Sequence, residues 1–128
     1  MPHNLHNTLQ PMKGGKFYSL PQLGKALNVK IGAGSDTSYG AKSITTLARE
    51  IVMLADSGLT PLDALQAATT RNAELLRLEK EVGQVAQGFQ ADLIVVAGNP
   101  LQDLRTVLDP LLVVSNGKVA VDRLTFGR

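Results

Sequence analysis

The clearest periodicity in the chain runs over 43–57, where Ile44, Leu47, Ala48, Ile51, Leu54 and Ala55 recur at helical spacing. Arg49, Glu50 and Asp56 fall opposite them, so the segment predicts an amphipathic helix with one broad apolar stripe. Gly58 follows at the place where a helix end favours glycine. Thr60-Pro61 then opens a second helix, with Thr as N-cap, Pro in the first turn and Asp63 just behind. Leu62, Leu65, Ala68 and Thr69 are its expected inward face. Thr70-Arg71-Asn72 interrupts that stripe, and 73–78 predicts a last short helix carrying Leu75, Leu76 and Leu78. Nearer the N-terminus, Leu20, Leu23, Ala26 and Leu27 predict a helix over 17–27, with Pro21 in its first turn and Asn28 closing it in left-handed geometry.

Short strand-like stretches replace helical spacing elsewhere. A strand is expected at 29–33, directly after the first helix, which is the order of an α/β unit. Past Glu81 the texture turns β-rich: 82–86, 91–97, 111–115 and 118–122 read as strands, punctuated by Gly83, Gly88 and Gly98. Asn116-Gly117 between the last two suits a type I′ hairpin turn. Asn99-Pro100 opens a turn, and 103–108 predicts a helical turn. The chain thus divides into a poorly ordered 1–16, a helix–strand–helix–helix piece at 17–78 and a mostly β segment at 79–128. Three or four strands without a partner sheet are marginal alone.

Composition narrows the function classes. Thirteen basic and eleven acidic residues are scattered along the chain, so no basic stripe argues for nucleic acid. Cysteine is absent, which excludes disulfides, thiolate metal sites and a Cys nucleophile. No apolar run reaches the ~18 residues that suggest a membrane span. The first residues, M-P-H-N-L-H-N-T, lack a basic start and an apolar core, so a cytoplasmic protein is expected.

Candidate chemistry concentrates at 29–37, V-K-I-G-A-G-S-D-T, where a strand ends on one carboxylate, Asp36, flanked by Ser35 and Thr37. The C-terminal edge of an α/β sheet is where ligands and metals sit. Asp and Ser also cap turns and helices, so the local residues alone leave both roles open. His3 and His6 have a spacing that needs a helix to present both to one metal, and Pro2 and Asn4 disfavour one there.

Three motifs occur in a definite order. They are the aspartate after the glycine-rich strand (29–37), G-L-T-P-x-x-A-L-x-x-A-T within A-R-E-I-V-M-L-A-D-S-G-L-T-P-L-D-A-L-Q-A-A-T-T-R-N-A-E-L-L (48–76), and G-x-x-x-x-G-x-x-A-D-L within G-Q-V-A-Q-G-F-Q-A-D-L-I-V-V-A-G-N-P-L-Q-D (83–103). V-V-S-N-G-K-V (113–119) continues the match. With that order and spacing, 17–122 resembles the C-terminal part of a metal-dependent amidohydrolase, in the branch of imidazolonepropionase-like enzymes and prolyl dipeptidases. One departure is Phe89, where the family usually has lysine.

The resemblance implies an α/β fold made of the last βα unit of a (β/α)8 barrel. The eighth strand would fall on 29–34 and the eighth helix on 43–57, with further helices after it. The C-terminal strands of a small composite β-sandwich would fall on 82–97 and 111–122. It implies Asp36 as metal ligand and as acceptor of the attacking water's proton, with Ser35, Thr37 and Ser38 shaping the substrate mouth. A divalent metal, zinc first, is the implied cofactor, and a small amide, cyclic amide or dipeptide the implied substrate of the parent enzyme. A catalytic zinc takes about three protein ligands and an open position. The family draws its others from a His-x-His on the first strand, a carboxylated lysine or glutamate on the fourth, and histidines on the fifth and sixth. His3 and His6 do not have that spacing. The chain is therefore expected to bind no metal tightly and to be inactive alone, with the N-terminal barrel portion, or other copies of itself, as partner. The alternative is a non-catalytic α/β relic or interaction module without metal.

Overall fold

The computed structural model describes residues 10–12, 16–36 and 46–124. His3, His6, Thr37, Ser38 and Ile44 lie outside the described residues. In chain order the elements are β1 (Gln10–Met12), β2 (Lys16–Tyr18), α1 (Leu20–Ala26), α2 (Leu47–Asp56), α3 (Pro61–Ala68), α4 (Thr70–Leu75), β3 (Leu93–Val95), a 3-10 helix (Leu104–Leu108), β4 (Leu112–Ser115) and β5 (Lys118–Asp122).

Hydroxyl caps set three helix starts. Ser19 accepts from the Gln22 backbone N–H while the Gln22 side chain accepts from Ser19 N, a complete capping box. Thr46 accepts from Arg49 N, and Thr60 from Asp63 N. The box places the first helix start at Leu20 rather than at Phe17. Residues 16–18 instead pair antiparallel with 10–12, Pro11 opposite Phe17, where the sequence suggested little structure through residue 16. Asn28 closes α1 at φ 55°, and Gly58 follows α2 at φ 103°. A Cβ at Gly58 would lie 2.1 Å from the Gln22 amide nitrogen, so that glycine also lets α1 approach.

The core joins Ile51 and Leu54 of α2, Ala64 and Ala67 of α3, Leu59 between those helices, Ala33, and Leu104 and Val107 of the 3-10 helix. Alanine rather than leucine faces inward on α3: Ala64 and Ala67 are fully buried, while Leu62 is 51% exposed. The reason is backbone proximity, since Ala33 N donates to Ala67 O at 2.9 Å and leaves no room there for a large side chain. Of the expected inward set, Leu65 and Ala68 do pack half-buried against this core, while Leu62 and Thr69 are exposed. The last helix is also shifted. It spans Thr70–Leu75 and buries Ala73, while Leu75, Leu76 and Leu78 are exposed.

Two expected strands are absent. Residues 29–33 carry no ladder pairing among the described residues, because a strand exists only beside another and this run lies against helices. Residues 82–86 form turns and bends, with Gly83 and Gly88 at φ 91° and 89°. Gln90 N donates to Glu81 O at 2.8 Å and closes 81–90 as a loop.

The C-terminal sheet is antiparallel in the order β3-β4-β5. Ile94 pairs with Val113 and Val113 with Val121, and a register shift at Val113/Val114 brings Val114 opposite Val119. Asn116 and Gly117 both have positive φ, 50° and 73°, as a type I′ turn requires. The fold is thus an α/β arrangement of helices beside a small antiparallel sheet. Among the described residues, no helix is long and apolar enough to cross a membrane.

Candidate functional site

Asp36 ends the run 29–36, exposed, with its backbone in the left-handed region at φ 45°. Asp tolerates that region better than most side chains, and such positions concentrate at functional sites. The run leading to it is held at both ends. Val29 N donates to Gly24 O at 2.8 Å as the chain leaves α1. At the far end Ala33 is buried, and α3 and α4 satisfy both its backbone groups: its N–H goes to Ala67 O, and Asn72 Nδ2 donates to its carbonyl at 2.8 Å. Lys30 Nζ reaches Glu74 Oε2 at 2.6 Å on the outside. Gly32 makes this approach possible, since a Cβ there would lie 2.2 Å from Asn72 Oδ1 and 2.8 Å from Leu75 Cδ1. Ser35 is half-buried beside Asp36.

Among the described residues no group of three or more His, Cys, Asp or Glu side chains could hold a metal ion. One carboxylate falls short of the roughly three protein ligands of a hydrolytic zinc. The described residues therefore do not fit a metal by themselves.

A second carboxylate lies where the sequence suggested only a helix start. Asp63 is buried and receives Lys25 Nζ from α1, the Thr60 hydroxyl at 2.6 Å and Arg71 Nη2 from α4 at 2.8 Å. Arg71 also donates to Gln66 Oε1 at 3.1 Å. The Lys25 hydrogen bond first, then those from Thr60 and Arg71, hold the Asp63 carboxyl well below the usual carboxylate range against the opposing effect of burial. Its donors come from α1, from the start of α3 and from α4, so the carboxylate ties three helices together. Thr-Pro-x-Asp was legible as a cap, but its partners 38 and 8 residues away were not.

Asp92, within the A-D-L motif, has a similar role in the β half. Its Oδ1 accepts from Asn116 N at 2.6 Å, and Gly117 N donates to Ala91 O at 3.0 Å. The motif aspartate thus ties the β4–β5 turn to the start of β3.

The profile of the Amidohydrolase family matches residues 13–120. The chain belongs to that family. Among its relatives, adenine deaminase 4 of Rhizobium meliloti (strain 1021) is 41% identical over 63 residues, covering 49% of this chain and 10% of that protein. Ochratoxinase of Aspergillus niger is 34% identical over 87 residues, covering 66% of this chain and 17% of the relative. A solved Xaa-Pro dipeptidase with methionine bound in its active site superposes with a TM-score of 0.62 at 30% identity, covering 77% of this chain and 25% of that one. This amidohydrolase chain therefore spans a quarter or less of the length of these relatives.

Proposed function

We propose that this chain is the C-terminal portion of a metal-dependent amidohydrolase that hydrolyses amide or cyclic amide C–N bonds of small molecules, dipeptides included. In this reading 29–36 corresponds to the last barrel strand and α2 to the helix after it, while β3, β4 and β5 belong to a composite sandwich. Asp36 supplies one metal-binding carboxylate and, at its oxygen, the acceptor for a proton leaving water. The remaining ligands come from outside the described residues, and Ser35, Thr37 and Ser38, next to Asp36 along the sequence, are the candidates for shaping the substrate mouth.

The observation that carries the reading is the anchoring of 29–36. An exposed left-handed aspartate follows a glycine-rich run whose last buried residue is hydrogen-bonded on both sides by helices α3 and α4. A capping aspartate needs no such support from elements more than thirty residues away. The family match across 13–120 and the dipeptidase likeness support the reaction class.

The test joins this chain to the preceding barrel portion of a Xaa-Pro dipeptidase relative, replacing that enzyme's own matched quarter. The chimera should hydrolyse dipeptides with added Zn²⁺, Mn²⁺ or Co²⁺, and D36N should lower kcat by about 100-fold or more. The 128-residue chain alone should show no turnover with the same metals. A D36N chimera as active as its parent, or turnover by the lone chain, overturns the reading.

A further inference from the structure

We propose that Asn72 is a positioning residue for Asp36, acting through the backbone of Ala33. The inference rests on the reading of Asp36 as the working carboxylate.

Asn72 lies inside α4, where asparagine is a weak helix former. Its side-chain amide does not serve its own helix. It crosses 39 residues of sequence to donate to the Ala33 carbonyl at 2.8 Å. The neighbouring backbone is shaped to receive it, because Gly32 leaves the space that any Cβ would take from Asn72 Oδ1. Ala33 is buried, so its carbonyl needs a partner, and its N–H is already committed to Ala67 O. Two bonds from opposite sides of one residue fix the rotation of the chain about its own axis. That rotation sets the direction in which Gly34, Ser35 and Asp36 depart. Gly34 adds little restraint, since a Cβ there would meet nothing within 4 Å. The aim of the Asp36 carboxylate therefore depends on the Ala33 anchor, and Asn72 supplies the half of that anchor that a substitution can remove.

N72D removes the donor while keeping the shape of the side chain. At neutral pH the introduced carboxylate can only accept, and it faces a carbonyl; once protonated it donates again. Hydrogen exchange by mass spectrometry on the full chain at low concentration should show 29–36 exchanging about ten-fold faster in N72D than in the parent at pH 7, with α2 and α3 unchanged. The difference should close on acidification, starting above the pH at which an ordinary aspartate is protonated, because a half-buried carboxylate facing a carbonyl favours its neutral form. In the dipeptidase chimera N72D should lower kcat about ten-fold and leave KM within about two-fold. If N72D loses its helices at pH 7, circular dichroism is followed on acidification beside N72A; recovery by N72D alone supports the proposal, and recovery by both or neither overturns it. A segment that keeps its protection in N72D, or one that loosens together with α2 and α3, also overturns it. A loosened segment in a chimera whose D36N form is fully active overturns the role given to Asp36 and leaves the anchor standing.

Discussion

At the scale of single residues, Asp63 makes the largest electrostatic commitment among the described residues. Its folded pKa lies below the ordinary value, so its charged interactions stabilise the fold fully above the unfolded pKa of about 4 and are lost as the pH falls below it toward the folded value. The Lys25 side chain is 53% exposed and screened by solvent, so Arg71 and the Thr60 hydroxyl carry most of the benefit at physiological salt. D63N should therefore cost about 1–2 kcal/mol in urea denaturation at pH 7. The gap between D63N and the parent should shrink steadily below about pH 4, and a gap that stays constant or grows on acidification would contradict the assignment. Asp36 differs from Asp63 in surroundings rather than in type. Both were visible in the sequence as carboxylates near hydroxyl residues, Asp36 between Ser35 and Thr37 and Asp63 three positions after Thr60. Only distant donors separate the buried carboxylate from the exposed one, and no local pattern reports them.

At the scale of elements, helix termini and hairpin turns followed their local chemistry. Ser19, Thr46 and Thr60 cap, Asn28, Gly58 and Asn116-Gly117 turn, and Asp103 caps the 3-10 helix through Arg105 N at 3.0 Å. Burial within an element was less legible. The stripe of α2 is real at Ile51 and Leu54, but Leu47 at its first turn is 45% exposed. L54A should accordingly cost about 2–4 kcal/mol, and L47A less than about 1 kcal/mol, in the same denaturation experiment. Equal losses at the two positions would mean that α2 packs through a different face. Gly83 marks a second contrast. Its segment reads as β-rich, yet it sits at φ 91° with a would-be Cβ 3.0 Å from both Thr69 O and Ala73 Cβ. G83A should destabilise by about 1 kcal/mol or more, because both the backbone geometry and the contact oppose a side chain there.

At the scale of the whole molecule, the buried set is thin. No large side chain among the described residues falls below 2% exposure, while Leu20, Leu27, Val29, Leu75 and Leu76 stand in solvent. The outer edges of β3 and β5 carry no ladder partner among the described residues. Open edges and exposed apolar side chains favour association. Sedimentation velocity on the purified chain should show species larger than a monomer at micromolar concentration, and a single monomer with a cooperative melt would refute this. The sequence by itself determined the ends of α1 and α2 at Asn28 and Gly58, the Thr60 start of α3, the Asn116-Gly117 hairpin and the order of motifs that marks the family. Each of these depends on hydrogen bonds or dihedral preferences within a few residues. Only the tertiary structure decided that alanines rather than Leu62 face the core, that 29–33 lies on helices instead of pairing as a strand, and that Asn72 and Arg71 are anchors rather than an interruption. Apart from Arg71, whose partner Asp63 is 8 residues away, those outcomes depend on which backbone arrives from thirty or more residues away, and a packing partner at that distance leaves no periodic signature in the segment that receives it.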